Sequence, residues 1–261
     1  MTLEKMMLEG LMVVVTGGTS GIGRACAEAM LDAGAAGVLI NGRDPARAAA
    51  AQAQIQSRFP AAYVEIALGD VSVAETAQAV MTSAAQKLGR IDVLVNSTGG
   101  NDLPQLLYRT PVVDIPGILQ RCLFAQILCS AAALPMMRDA GRGTIINIAS
   151  DAAKIPTPGE SVIGAAMAGI VMFTRAIAVE GKRDGIRANV LTPSMTSGTD
   201  HYRKVMEDPF SSRLFAKAEK MAALGVVTKE ELAGLAVFLA SPAAAKITGQ
   251  AISMTGGISA L

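Results

Sequence analysis

The sequence predicts an α/β fold, a doubly wound parallel sheet of about seven strands with helices on both faces. Three observations carry the prediction. Short apolar runs alternate with longer amphipathic segments along all 261 residues. The runs are unbroken, as strands buried on both faces read. A glycine-rich turn stands between the first run and the first helical segment, and strand and helix in alternation imply βαβ units with right-handed crossovers.

The strands are expected at 11–16 (LMVVVT), 37–41 (GVLIN), 63–67 (YVEIA), 91–96 (IDVLVN), 143–150 (GTIINIAS), 186–191 (IRANVL) and 250–255 (QAISMT). Between them, helical patterns cover 21–33, 44–57, 72–88, about 112–139, 161–182 and 228–240. Asp44 is expected to cap the second helix, with Pro45 at its first position. The segment 199–222 is more polar and reads as a helical flap, within a flap region of about 195–222. Without a linker, repeat or low-complexity tract, residues 1–261 are expected to form one domain.

Composition narrows the class. The chain is 51% hydrophobic, has 26 glycines, and is only 17% charged and 3% aromatic, which fits alanine-rich helices packed close on a sheet. A net charge of +1 gives no electrostatic footprint for nucleic acid or an anionic membrane. The three cysteines, Cys26, Cys122 and Cys129, are odd in number and lack CxxC spacing, so neither a disulfide framework nor a metal site is expected. At the N-terminus, Glu4, Lys5 and Glu9 interrupt the apolar run a signal peptide needs. No uninterrupted run reaches the ~18 apolar residues of a membrane span. A cytoplasmic location is the expectation.

The first strand runs directly into TGGTSGIG (16–23), where a helix opens. Glycines at 17, 21 and 23 allow a tight turn, a close backbone approach and close helix–strand packing, and the free N–H groups of the helix start suit a pyrophosphate. The strand–turn–helix context makes this a Rossmann-type dinucleotide loop.

The TGxxxGxG spacing resembles the short-chain dehydrogenase/reductase family, and the resemblance extends through nearly the whole chain. Asn96 and Gly99 of NSTGG (96–100) stand where the family has Asn-Asn-Ala-Gly. Pro193 of IRANVLTPS keeps the family's proline, with Ser194 in place of a glycine, and ELAGLAVFLASPAAAKITGQAISMTGG is close to the C-terminal signature. The resemblance implies a nicotinamide dinucleotide, held at the loop by Gly17, Thr19, Ser20, Gly21, Ile22 and Gly23. It implies Asp70 and Val71 beside the adenine, and Asn96, Gly99, Pro193 and Thr196 toward the nicotinamide.

Cofactor choice is argued at the end of the second strand. An acidic side chain there would favour NAD through the ribose 2′-hydroxyl. This chain has Gly42 followed by Arg43, which can neutralise a 2′-phosphate, so NADP(H) is expected over NAD(H).

The family's reductases use a Tyr as proton donor or acceptor, a Lys four residues later, a Ser upstream and an Asn on the preceding long helix. By this resemblance the Ser is Ser150, which is present. The Tyr position is Ile163, the Lys position is Met167 and the Asn position is Cys122. Isoleucine exchanges no proton and methionine carries no charge. Replacement proton carriers are sought in Lys154, Glu160, Ser161, His201 and Tyr202.

Three readings follow. The first is an NADP(H)-dependent oxidoreductase acting on a carbonyl, alcohol or activated alkene by a non-standard proton path. The second is a catalytically inactive nucleotide-binding sensor or partner subunit, and the third a non-redox lyase or isomerase. The resemblance also implies a homo-oligomer, a tetramer or dimer, built through the long helices at 112–139 and 161–182.

Overall fold

The apolar runs become strands whose successive residues serve opposite cores. In the computed structural model, which describes residues 7–99 and 102–259, Val13 and Val15 pack on one face of the sheet and Val14 on the other. Leu94 and Ile145 repeat that inversion between Val93 and Val95 and ahead of Ile146. With both faces buried, the period-two polar signature is absent and the runs read as continuously apolar. Glu4, Lys5 and Gly100, invoked in the sequence reading, fall outside the described residues.

In chain order the elements are β1 (Met12–Thr16), α1 (Gly21–Asp32), β2 (Gly37–Gly42), α2 (Pro45–Arg58), β3 (Tyr63–Leu68), α3 (Ala74–Leu88) and β4 (Val93–Asn96). There follow α4 (Ile115–Leu119), α5 (Ala125–Asp139), β5 (Gly143–Ile148), α6 (Ser161–Gly181), β6 (Ile186–Pro193) and β7 (Thr196–Ser197). The chain continues through α7 (Asp200–Glu207), α8 (Pro209–Met221), β8 (Val227–Thr228), α9 (Lys229–Ala240) and β9 (Ala251–Met254). The seven-stranded sheet has the order β3-β2-β1-β4-β5-β6-β9 and is parallel throughout. Helices α1, α2 and α9 cover one face, and α3, α5 and α6 the other. The strand order reverses between β1 and β4, and ligands of open α/β sheets bind in the crevice at such a switch point.

Asp44 accepts the Arg47 N–H at 3.0 Å with Pro45 at the first position of α2, as the cap reading expected. The helical run expected at about 112–139 forms without a break, with a 3₁₀ turn (Val112–Asp114) leading into α4 and a π-helical turn (Gln120–Phe124) joining α4 to α5. Two expectations are corrected. The strand expected to reach residue 150 ends at Ile148, because Ser150 caps a 3₁₀ turn at Asp151–Ala153. By length and composition, 112–139 and 161–184 are apolar enough to cross a membrane, which the count of uninterrupted apolar residues missed. Both nevertheless supply buried side chains to the cores under the sheet.

The flap consists of α7 and α8, and a short parallel ladder ties its base to the approach to α9 (Thr196 beside Val227, Ser197 beside Thr228).

Beneath the carboxyl ends of β1, β4 and β5 lies a fully buried polar network. Asn96 Nδ2 donates to Asn147 Oδ1 at 2.9 Å and to Ser130 Oγ at 3.0 Å. Asn147 Nδ2 donates to Thr174 Oγ1 at 2.8 Å, and Thr174 Oγ1 donates to the Ile170 carbonyl at 2.7 Å. Two strands and two helices are thereby fixed to one another. Asn147→Ala removes the acceptor of one Asn96 N–H and the donor to Thr174 Oγ1 where no water reaches, and is expected to cost about 3 kcal/mol. Urea unfolding of the two proteins measures this, and a loss below ~1 kcal/mol would remove the network from the stability of the fold.

Candidate functional site

The glycines of the first turn are required by what surrounds them. Gly17 has φ +65°, and a Cβ there would lie 2.7 Å from the Ser97 carbonyl oxygen. A Cβ on Gly23 would lie 2.5 Å from the Gly17 carbonyl oxygen, so only glycine lets α1 start this close to its own loop. Ser20 stands at the N-cap of α1 in an extended conformation and its side chain makes no capping bond, leaving the first N–H groups of the helix open to a ligand.

A cavity of about 1200 Å³ opens from this turn and runs across the switch point to α6. Gly17, Thr19, Ser20, Gly21, Ile22 and Gly23 line one part of it. Arg43, Asp70 and Val71 line the end over β2 and β3, and Gly99, Pro193 and Thr196 the region over β4 and β6. Asn96 is a correction: its side chain is 0% exposed, belongs to the buried network and does not line the cavity. Sequence reasoning missed Arg47, one turn into α2, and Thr199, whose methyl would sit 3.8 Å from a Cβ on Gly21. The NGRDPAR run held the first signal; nothing local marked the second.

The end over β2 is cationic. A Cβ on Gly42 would come within 2.6 Å of Thr19 Cγ2, so an acidic side chain at this position has no room while Thr19 stays in place. Arg43 Nη1 lies 3.6 Å from Asp70 Oδ2 in a half-open pair. Burial pushes the Asp70 carboxyl up. The Ser72 hydroxyl and N–H, at 2.7 and 3.0 Å, together with Arg43, outweigh burial and hold it below the ordinary range.

The other end is apolar. Cys122, Met167 and Ile170 form a buried cluster with Ile163 packed against it, and Ile163 and Met167 also face the cavity. Ser150 lines the same wall, but its Oγ accepts the Ala152 N–H at 3.2 Å as a cap. Lys154 is a second correction: its ammonium reaches the Ser253 hydroxyl on β9 and does not line the cavity. Ser161 likewise opens α6 from its exposed side and lies outside the cavity. Tyr202 does line it, yet its hydroxyl donates to Glu219 Oε1 at 3.3 Å. Burial, then the Glu219 charge and hydrogen bond, raise its pKa, the wrong direction for a proton donor near neutrality.

Two titratable groups beside the apolar wall remain in play. Glu160, at the N-cap of α6 and three residues before Ile163, has its pKa raised by burial and by Asp151, against a hydrogen bond from Thr157. His201 on α7 keeps an exposed edge. Its pKa is lowered by the loss of surrounding water and by Lys204, with Asp102 opposing. Asp102 itself is bound by Arg121 through both oxygens, at 2.5 and 3.1 Å.

The site can therefore hold a dinucleotide on the glycine turn. The tight Gly17 and Gly23 cradle, the open helix N-terminus and the length of the cavity all fit that group.

Comparison with known proteins agrees with this geometry. The family model described as enoyl-(acyl carrier protein) reductase matches residues 17–259. The 2,3-dihydroxy-2,3-dihydro-p-cumate dehydrogenase of Pseudomonas putida is 30% identical over 250 residues, covering 96% of this chain and 95% of its own. The D-beta-hydroxybutyrate dehydrogenase of Cupriavidus necator is 33% identical over 263 residues, covering 96% and 98%. Among solved structures, a 7 alpha-hydroxysteroid dehydrogenase complexed with NADH and 7-oxo glycochenodeoxycholic acid superposes with a TM-score of 0.89 at 25% identity, over 98% of this chain and 97% of that one.

Ionisation of Glu160 is disfavoured in the folded state, so its contribution to stability is present at acid pH and is lost as pH rises through its raised pKa. Glu160→Gln removes that dependence. Its melting temperature is expected to gain on the parent as pH rises from acid to neutral, and thermal melts across that range check the sign.

Proposed function

The chain belongs to the short-chain dehydrogenase/reductase family of oxidoreductases, and from that premise we propose that it binds NADP(H) and acts on a carbonyl, an alcohol or an activated alkene through a non-standard proton path. The observation that carries this reading is the single cavity joining a glycine cradle and two guanidinium groups to an apolar wall.

Arg43 and Arg47 at the β2 end supply positive charge for a 2′-phosphate, and Gly42 sets no carboxylate against it. The open N-terminus of α1 would hold the pyrophosphate. A bound nicotinamide would supply the hydride chemistry. At the apolar wall the chain's own contribution is to exclude water with Ile163 and Met167 and to set beside them a carboxyl, Glu160, whose pKa burial raises.

A second reading, a nucleotide-binding sensor or partner subunit without turnover, is favoured by the capping role of Ser150 and the apolar packing of Cys122 and Met167. Tight NADPH binding without consumption on carbonyls, alcohols and enones would select it.

Homo-oligomerisation is part of the same proposal. Phe124, ahead of α5, and Met172 and Val179 on α6 stay exposed on two long apolar helical stretches, at 48%, 63% and 63%. Replacing Met172 and Val179 together by Asp is expected to lower the sedimenting mass to that of the monomer while leaving the helix content unchanged.

Titration with NADPH and NADH, read by nicotinamide fluorescence, tests the cofactor. Arg43→Ala is expected to weaken NADPH by about tenfold to a hundredfold, the worth of a charge-assisted contact, and to leave NADH alone. Equal loss for both cofactors would sink the 2′-phosphate assignment.

A further inference from the structure

Gln126, on the first turn of α5, is 1% exposed and lines the cavity one helical turn beyond Cys122. Its Nε2 donates to the Ile148 carbonyl at 2.7 Å, which fixes the orientation of the amide. Its Oε1 is then left buried with no hydrogen-bond partner. Thr98, just past β4, lines the same cavity, and its Oγ1 is also buried and unpartnered. Native proteins leave few such groups, because each costs about 1–3 kcal/mol unless something completes it.

The position of the pair narrows what completes it. Ile148 ends β5, and β5 lies two strands from β1 and its glycine turn, on the side of the switch point away from Arg43. A dinucleotide with its pyrophosphate on α1 and its adenosine over β2 lays its second riboside over β4 and β5. An amide oxygen only accepts, so its partner must be a donor, and that riboside offers the ribose hydroxyls and the carboxamide N–H₂. The neighbouring wall, Ile163 and Met167, offers neither donor nor acceptor of comparable strength.

We infer that Gln126 Oε1, assisted by Thr98 Oγ1, accepts a hydrogen bond from the nicotinamide-riboside half of the cofactor and anchors that half in a site whose α6 wall is apolar. This rests on the proposed dinucleotide binding and adds the residues that hold the reactive half.

Three ligands separate the possibilities by calorimetry: NADPH, 2′-phospho-ADP-ribose, which keeps the second ribose but lacks the base, and 2′,5′-ADP, which lacks both. Gln126→Met is expected to weaken NADPH about tenfold and to leave 2′,5′-ADP unchanged, so that the fragment reports an intact fold. Thr98→Val, close in shape and with no side-chain hydrogen bond to lose, is expected to act in the same direction, more weakly. Weakening shared by 2′-phospho-ADP-ribose identifies the ribose hydroxyls as donor, and weakening confined to NADPH identifies the carboxamide; both support the inference. Unchanged NADPH affinity in both variants overturns it and assigns the orphan oxygens to internal water. Binding of no ligand by the parent protein overturns the dinucleotide reading along with it, whereas failure of Arg43→Ala to separate NADPH from NADH overturns the 2′-phosphate assignment alone.

Discussion

The buried hydrogen-bond network under the sheet's carboxyl edge is the constraint on which the site depends. Asn96, Ser130, Asn147 and Thr174 are all 0% exposed, so none has water as an alternative partner. Each bond contributes only about 1 kcal/mol net when made, but an unmade one carries the full desolvation cost, and the geometry is therefore all-or-none. Thr16 at the end of β1 reaches the same asparagine, at 3.4 Å, and also accepts the Ser97 N–H at 3.3 Å. The turn at Gly17 consequently stands against Ser97 with no space for a methyl group. The cradle for phosphate and the floor beneath the reactive half are set by one group of side chains.

The same network orients the wall. Ile163, Met167, Ile170 and Thr174 recur on α6 at the three- and four-residue spacings of one helix face. Thr174 is bonded to Asn147, so the turns ahead of it present Ile163 and Met167 toward the cavity. An apolar wall in place of a polar one removes local competition for protons and removes water. The direction of the Glu160 shift, upward and led by burial, is the expected electrostatic result.

Much of the fold was legible because both cores impose continuous apolar runs and because Asp44, Pro45 and the glycine turn are strong local punctuation. The π-helical turn was not legible, since Gln120–Phe124 differs from α-helix by one residue in its hydrogen-bond count and leaves the apolar pattern nearly unshifted. The ladder between Thr196 and Val227 is two residues long, below what periodicity can register. Motif position alone put Asn96 at the cofactor; only packing shows its amide turned into the network. Gln126 carried no signal at all, because a glutamine on an amphipathic helix reads as surface, and its burial follows from the Ile148 carbonyl it meets.

The proposed reading has to survive the loss of a general acid, a term of ~10²–10⁴ in rate. Positioning of two reactants is worth more, about 7–11 kcal/mol in favourable intramolecular cases, and its structural basis here is the cradle and the network rather than the replaced residues. The balance depends on the acceptor. Hydride addition to a simple carbonyl builds charge on one oxygen, which becomes an alkoxide and demands a proton early. Addition to an alkene conjugated with a carbonyl spreads that charge into an enolate, a weaker base that can be protonated later and from farther away. A water-poor apolar wall with a carboxyl at its margin serves the second case better than the first. On the proposed reading, the activated alkene is the acceptor class that asks least of a proton carrier.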